Sequence, residues 1–155
     1  MNRIKLVLLL IVGIAALGCN TNNLVDVSVE MPKRNWSYVN KVKAVVDIKD
    51  NSKPYSLYLK LRHTADYRYS NIFILLHITD PKHKTQTKRY EYRLARADGE
   101  WLGAGSGNLF TYKFDLLKDY RFPENGKYEF EIEQNMRDNP LKEISDAGFT
   151  VALQN

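Results

Sequence analysis

The chain of 155 residues is poor in the groups that staple or interrupt a fold, with one cysteine, three histidines, five prolines and eight glycines. A single thiol excludes a disulfide framework and any cysteine-rich zinc site. Few glycines exclude a collagen-like repeat, and no apolar run reaches the ~18 residues of a membrane-crossing helix, which excludes a polytopic membrane protein. Nor does one charge sign dominate: the formal net charge is +5, too mild a basic balance to point to nucleic acid. What remains is ordinary for a packed domain: 44% hydrophobic, 26% charged and 12% aromatic residues. That composition excludes disorder, and the length fits one domain.

The N-terminus stands apart. Arg3 and Lys5 precede an apolar run from Leu6 to Leu17. Twelve residues make a helix of about 18 Å, short of the ~30 Å hydrocarbon core of a bilayer. A basic start, a short apolar run and small residues before a cut site describe a secretory signal peptide over residues 1–18. The only cysteine, Cys19, follows directly. Ala16-Leu17-Gly18-Cys19 resembles a bacterial lipobox, with Ala16 where a larger aliphatic residue is usual. Cys19 is therefore expected to carry diacylglycerol, followed by a polar tether over residues 19–23. Each buried methylene contributes about 0.8 kcal/mol, so two or three acyl chains hold a soluble domain to a membrane. Asn20 to Asn23 lack a charged cluster, which points to the periplasmic side of an outer membrane.

From residue 24 onward the period is two. Val25, Val27 and Val29 alternate with polar neighbours, as do Val42, Ala44, Val46 and Ile48, and Leu57, Leu59 and Leu61. The same holds for Tyr90 and Tyr92, for Phe110, Tyr112 and Phe114, for Tyr128, Phe130 and Ile132, and for Phe149, Val151 and Leu153. Alternation puts one strand face on a core and the other in water. Turn residues fall between the runs, at Asp50-Asn51-Ser52, Asp80-Pro81, Ala97-Asp98-Gly99 and Pro123-Glu124-Asn125-Gly126. The pattern predicts an all-β chain: a single antiparallel, jelly-roll-like β-sandwich of about eight strands over residues 24–155. Met136 to Ile144 is the best helical stretch, cut to about a turn by Pro140. Ile72 to Ile78 is apolar on both faces except at His77, as a strand covered on both sides would be, by a loop or by a partner.

No catalytic, cofactor or metal set emerges. His63, His77 and His83 lack the spacing of a helical metal pair. His63 continues the Leu57-Leu59-Leu61 face, which predicts a half-buried ring, while His83 sits in a charged turn. Glu129, Glu131 and Glu133 share one strand face about 7 Å apart. Such a ladder is expected to pair across the sheet with Arg89, Arg93 or Lys113 rather than to flank a cleft as glycosidase carboxylates do. The glycines from Gly103 to Gly107 lack the strand and helix of a phosphate loop, and Gly105-Ser106-Gly107 lacks the spacing of a nucleophile elbow. Tyr67, Tyr69 and Trp101 sit in or beside loops, where a stacking face with a polar handle suits protein or glycan recognition.

Three long stretches carry a resemblance: Leu61 to Thr79, Asp98 to Phe110 and Arg121 to Val151. Their motifs, order and spacing, with the lipoprotein N-terminus, are similar to the gliding-motility lipoprotein GldH family of the Bacteroidetes. The resemblance implies a membrane-anchored, non-enzymatic accessory of a gliding apparatus that works with type IX secretion. Its partners would be other envelope proteins. The residues it singles out include Arg62, His63, Tyr67, Tyr69, Asn71, Trp101, Glu133, Gln134, Met136, Arg137 and Asp138. Arg62, Tyr67, Tyr69, Asn71, Trp101 and Arg137 are the expected binding residues, with Arg62 and Arg137 as charged anchors. Gln134 continues an inward face, where its amide would need backbone partners. A glycan-binding module using Tyr67, Tyr69 and Trp101 is the alternative.

Overall fold

The alternating runs become strands. The computed structural model describes residues 22–154, so the signal segment and Cys19 lie outside the described residues. The strands are β1 (Asn23–Glu30), β2 (Asn35–Trp36), β3 (Val42–Ile48), β4 (Tyr55–Thr64), β5 (Asn71–Thr79) and β6 (Thr85–Arg93). They continue as β7 (Ala104–Ser106), β8 (Leu109–Tyr120), β9 (Gly126–Gln134), β10 (Leu141–Lys142) and β11 (Ile144–Leu153). Eight of them are seven residues or longer.

One sheet has the order β1-β11-β4-β8-β7 and a second β3-β9-β5-β6, while β2 and β10 form a small separate pair. Among the long strands the first pairs with the last, and the pairing proceeds inward: β1 with β11, β3 with β9, β4 with β8, β5 with β6, all antiparallel. Such a chain is one long hairpin rolled up on itself, the jelly-roll form of a β-sandwich. Its midpoint is the turn between β5 and β6, where Asp80 Oδ1 accepts from the backbone N–H groups of Lys82 and Lys84 at 2.9 and 2.8 Å. His83 takes a positive φ of 62° in that turn and is exposed, as its charged setting predicts.

The inner faces meet as the alternation requires. Leu57, Leu59 and Leu61 of β4 and Phe149 and Val151 of β11 face Ile72, Ile74 and Leu76 of β5 and Phe130 and Ile132 of β9, all buried. Phe130 and Phe149 touch across the sandwich with ring centroids 5.8 Å apart, and Tyr92 stacks on Phe114 at 4.4 Å. Phe122 closes one end among Tyr55, Tyr120 and Tyr128. Trp36, Met31 and Leu141 are buried at the other, where β2 pairs with β10.

Two expectations need correction. Met136 to Ile144 forms no helix: it is an irregular loop with a cis Asn139–Pro140 bond, followed by β10 and the start of β11. Its backbone groups bond to side chains of other elements instead of closing a helical turn. Glu131 and Glu133 of the ladder pair with Lys41 and Lys43 rather than with Arg89, Arg93 or Lys113, and Glu129 has no ion pair among the described residues. The reason is topological, since β9 lies between β3 and β5, and Lys113 belongs to the other sheet.

Gly148 shows how tightly β11 is held. A Cβ there would sit 2.1 Å from the Val27 carbonyl oxygen and 2.9 Å from Ser28 Cα, both backbone of β1. Gly148→Ala should cost about 1–3 kcal/mol by overpacking, read as a fall in the urea unfolding midpoint. Gly105→Ala, whose Cβ would meet nothing nearer than 3.4 Å, should leave the midpoint close to wild type.

Candidate functional site

Two loops meet at the end of the sandwich opposite to the start of β1. One is residues 65–70, between β4 and β5; the other is residues 135–140, between β9 and β10. Tyr69 joins them, its hydroxyl donating to Asp138 Oδ2 at 2.6 Å, and that bond raises the Tyr69 hydroxyl above its ordinary pKa. Cavities open on either side of the pair. The larger, about 680 Å³, is lined by Arg68, Phe73, Arg89, Asn135, Met136 and Arg137 with Tyr69 and Asp138. The smaller, about 430 Å³, adds Asp66, Leu141, Lys142 and Glu143.

Local contacts hold this end rigid. Gln134 is fully buried, as its inward position required. Its Nε2 donates to the Asp138 carbonyl at 3.0 Å and its Oε1 accepts from Met136 N–H at 2.8 Å, so one amide closes the loop on itself. Asn135 N–H donates to the Phe73 carbonyl at 2.8 Å, and Phe73 N–H points at Met136 Sδ at 3.2 Å. Tyr38 adds its hydroxyl to the Met136 carbonyl at 2.5 Å. The Arg89 guanidinium lies 3.8 Å from the Phe73 ring centroid, and its Nε donates to Asn135 Oδ1 at 2.8 Å. The outward face of the Ile72–Ile78 run is thus covered at Phe73 by a loop and by an arginine.

The expected binding residues do not all gather here. Tyr69 and Arg137 line the larger cavity. Asn71 stands at the base of the first loop, its Nδ2 donating to Glu91 Oε1 at 2.7 Å. Tyr67 is a correction: it is 4% exposed, and its hydroxyl donates to the Asn71 carbonyl at 3.1 Å. Its ring packs on His63 at 5.0 Å, so it has no open stacking face, and burial raises its hydroxyl pKa. Trp101 is half-buried and meets His63 edge-on at 4.5 Å. Arg62 is on the outer face of the other sheet, paired through Nε with Asp146 Oδ2 at 2.6 Å. Arg68, Arg89, Phe73 and Asn135 were missed, because nothing local links residues that meet only through the loop crossing.

His63 is more deeply buried than the half-buried ring expected of it, at 0% exposure. The Thr64 carbonyl, 2.7 Å from Nδ1, can only accept and so fixes the proton there. The Tyr112 hydroxyl, which donates to the Leu94 carbonyl at 2.8 Å, lies 3.1 Å from Nε2, and Phe110 and Tyr112 flank the ring at 5.8 and 5.3 Å. Desolvation lowers its pKa below the usual histidine value. On the outer face of the β3-β9-β5-β6 sheet, Lys41 Nζ bridges Glu131 and Glu133 at 3.0 Å each, and Lys43 reaches Glu131 at 2.5 Å. Hydrogen bonds from Lys43 and then Lys41 lower the Glu131 pKa. Among the described residues no group of three His, Cys, Asp or Glu side chains could hold a metal ion.

Fold and site define a jelly-roll β-sandwich domain with a basic, aromatic-floored cleft between two pinned loops. The GldH lipoprotein family model matches residues 23–151, and the chain belongs to that family. It is 35% identical over 123 residues to the gliding motility lipoprotein GldH homolog of Christiangramia forsetii, covering 75% of this chain and 76% of that one. It is 26% identical over 151 residues to the gliding motility lipoprotein GldH of Flavobacterium johnsoniae, covering 93% of both. Among solved structures, a carbohydrate-binding module specific for non-crystalline cellulose aligns with a TM-score of 0.45 and 10% identity, covering 90% of this chain and 77% of that one. At that level no ligand passes from it to this chain.

Two predictions follow from these contacts. Because His63 takes up a proton less readily folded than unfolded, stability should be full above about pH 6.5 and fall as pH drops below it. Urea midpoints across pH 5–8 should show that slope, and His63→Gln should flatten it. Gln134→Ala leaves Met136 N–H and the Asp138 carbonyl without their partner and should cost about 1–3 kcal/mol. Limited proteolysis should then cut within residues 135–140.

Proposed function

We propose that this chain is a cell-envelope lipoprotein of the gliding machinery, held by lipid on Cys19, that works by binding other envelope proteins and not by turnover. Its assembly role is tied to type IX secretion, and it faces the periplasm from the outer membrane. The observation that carries this reading is the family match over residues 23–151, which starts four residues after Cys19. Four extended residues span at most about 14 Å, so a lipid on Cys19 would hold the start of β1 against the bilayer. β1 then runs away from the membrane to Glu30, and the two pinned loops stand at the far end, open to the periplasm. Loops on a rigid scaffold are where binding residues concentrate.

The groups that first suggest chemistry have structural work instead. His63 is enclosed by aromatic rings, and Glu131 and Glu133 of the ladder are paired with Lys41 and Lys43. Of the three aromatics that would serve a glycan site, Tyr67 is buried and Trp101 packs on His63, which favours protein over glycan.

Cell fractionation in the native host is the direct test of anchoring. The wild-type chain should sediment with outer membranes, and Cys19→Ser should move it into the soluble periplasmic extract. Crosslinking and pull-down from wild-type envelopes should recover components of the gliding and secretion machinery. Deletion should abolish colony spreading and adhesin secretion; a deletion strain that glides and secretes normally overturns the reading.

A further inference from the structure

We propose that the larger end cavity is a carboxylate-binding site that takes an acidic side chain, flanked by apolar residues, from an extended segment of a partner protein. The proposal rests on the protein-binding reading above and names the chemistry of the contact. Arg68, Arg89 and Arg137 converge on a cavity of about 680 Å³, with Asp138 the only acidic residue lining it. That volume lies within the range of small-ligand pockets, about 300–1,000 Å³. Asp138 already accepts from Tyr69. Among the described residues, none of the three arginines has a carboxylate within ion-pair distance, whereas Arg62 and Arg96 are paired.

Arg89 is the anchor. Phe73 supports its guanidinium face at 3.8 Å, and Asn135 takes its Nε–H at 2.8 Å. These contacts leave both Nη groups, the prongs that bind carboxylate in pairs, without a hydrogen bond among the described residues. A guanidinium already stacked and oriented loses little freedom on binding, so its contact energy is not spent on ordering. Phe73 and Met136 supply the apolar floor, which a bare inorganic anion would not use. Arg89 is exposed in the free chain and Phe73 partly so, and a partner that covers them would bury an arginine–aromatic pair of the kind that dominates protein–protein contacts.

Two features disfavour a lipid headgroup as occupant. The cavity lies at the end of the sandwich opposite to the start of β1, where the tether attaches. Glu91, which has no ion pair among the described residues, stands on the same outer sheet face, where it would repel an anionic bilayer.

The test uses the full-length lipoprotein purified in nonionic detergent and a fluorescent, end-blocked five-residue peptide with a central glutamate between two leucines. Anisotropy should rise to saturation and show binding at least tenfold tighter than to the same peptide with glutamine. Arg89→Gln, Arg137→Gln and Arg89→Lys should each weaken it tenfold or more; the lysine variant keeps the charge and loses the fork. Lys113→Gln, on the other sheet, should leave it unchanged. Equal binding of the two peptides, no saturation at millimolar peptide, or indifference to the arginine variants overturns the proposal. So does Arg89-dependent binding to phosphatidylglycerol vesicles with none to the peptide. If wild-type chain captures its neighbours from crosslinked envelopes and Arg89→Gln/Arg137→Gln captures them equally, the carboxylate site fails while the protein-binding reading stands. If the wild-type chain captures none, that reading itself fails.

Discussion

The last strand, β11, lies between the first and the third of the long strands, and its two ladders bind the ends of the chain into one sheet. Every other feature depends on that insertion. Until β11 arrives, β1 has no partner, the inner faces of β4 and β9 lack Phe149 and Val151, and the loop over residues 135–140 has no fixed far end. Gly148 is the point of closest approach, where only a hydrogen fits against the β1 backbone. A topology built from first-with-last pairing has mostly non-local contacts, which makes folding slow and makes the whole sandwich one cooperative unit. The geometry of the distal end is therefore tied to a strand that does not line the larger cavity.

Charge is distributed by the same topology. Glu131 and Glu133 on β9 are placed beside Lys41 and Lys43 at the start of β3, so these two carboxylates are neutralised within that outer face. Exposed pairs of this kind contribute little to stability. Arg68, Arg89 and Arg137, none of them in an ion pair among the described residues, line the cavity where the two loops meet the outer face of β6. On β6, which is an open edge, Lys88 lies over the Tyr90 ring at 4.9 Å. A lysine on a sheet edge also discourages unwanted strand pairing.

Much of the architecture was legible before any coordinates. Period-two alternation located the long strands, and turn chemistry located their boundaries, because both are local properties of the chain. The inward position of Gln134 foretold a buried amide with backbone partners, and the position of His63 on an apolar face foretold burial, though not its depth. The glutamate partners were misassigned because alternation says which face a residue occupies and nothing about which strand lies beside it. The stretch from Met136 misled for a related reason: Gln134, Phe73 and Tyr38 supply its hydrogen bonds from outside.

The site divides in the same way. Tyr69 and Arg137 could be named from motif stretches, but Tyr67, two residues from Tyr69, turned inward onto His63 and became core. Arg89 was invisible as a functional residue, being one exposed cation in an edge strand until Phe73 and Asn135 are seen to hold it. The amino-acid sequence by itself determined the class of fold and the family, since each is written in short-range pattern or continuous motif. Tertiary structure alone decided which aromatics are buried, which charges cancel and which arginines converge. Those outcomes depend on strands and loops that are far apart along the chain and meet only when the hairpin rolls up.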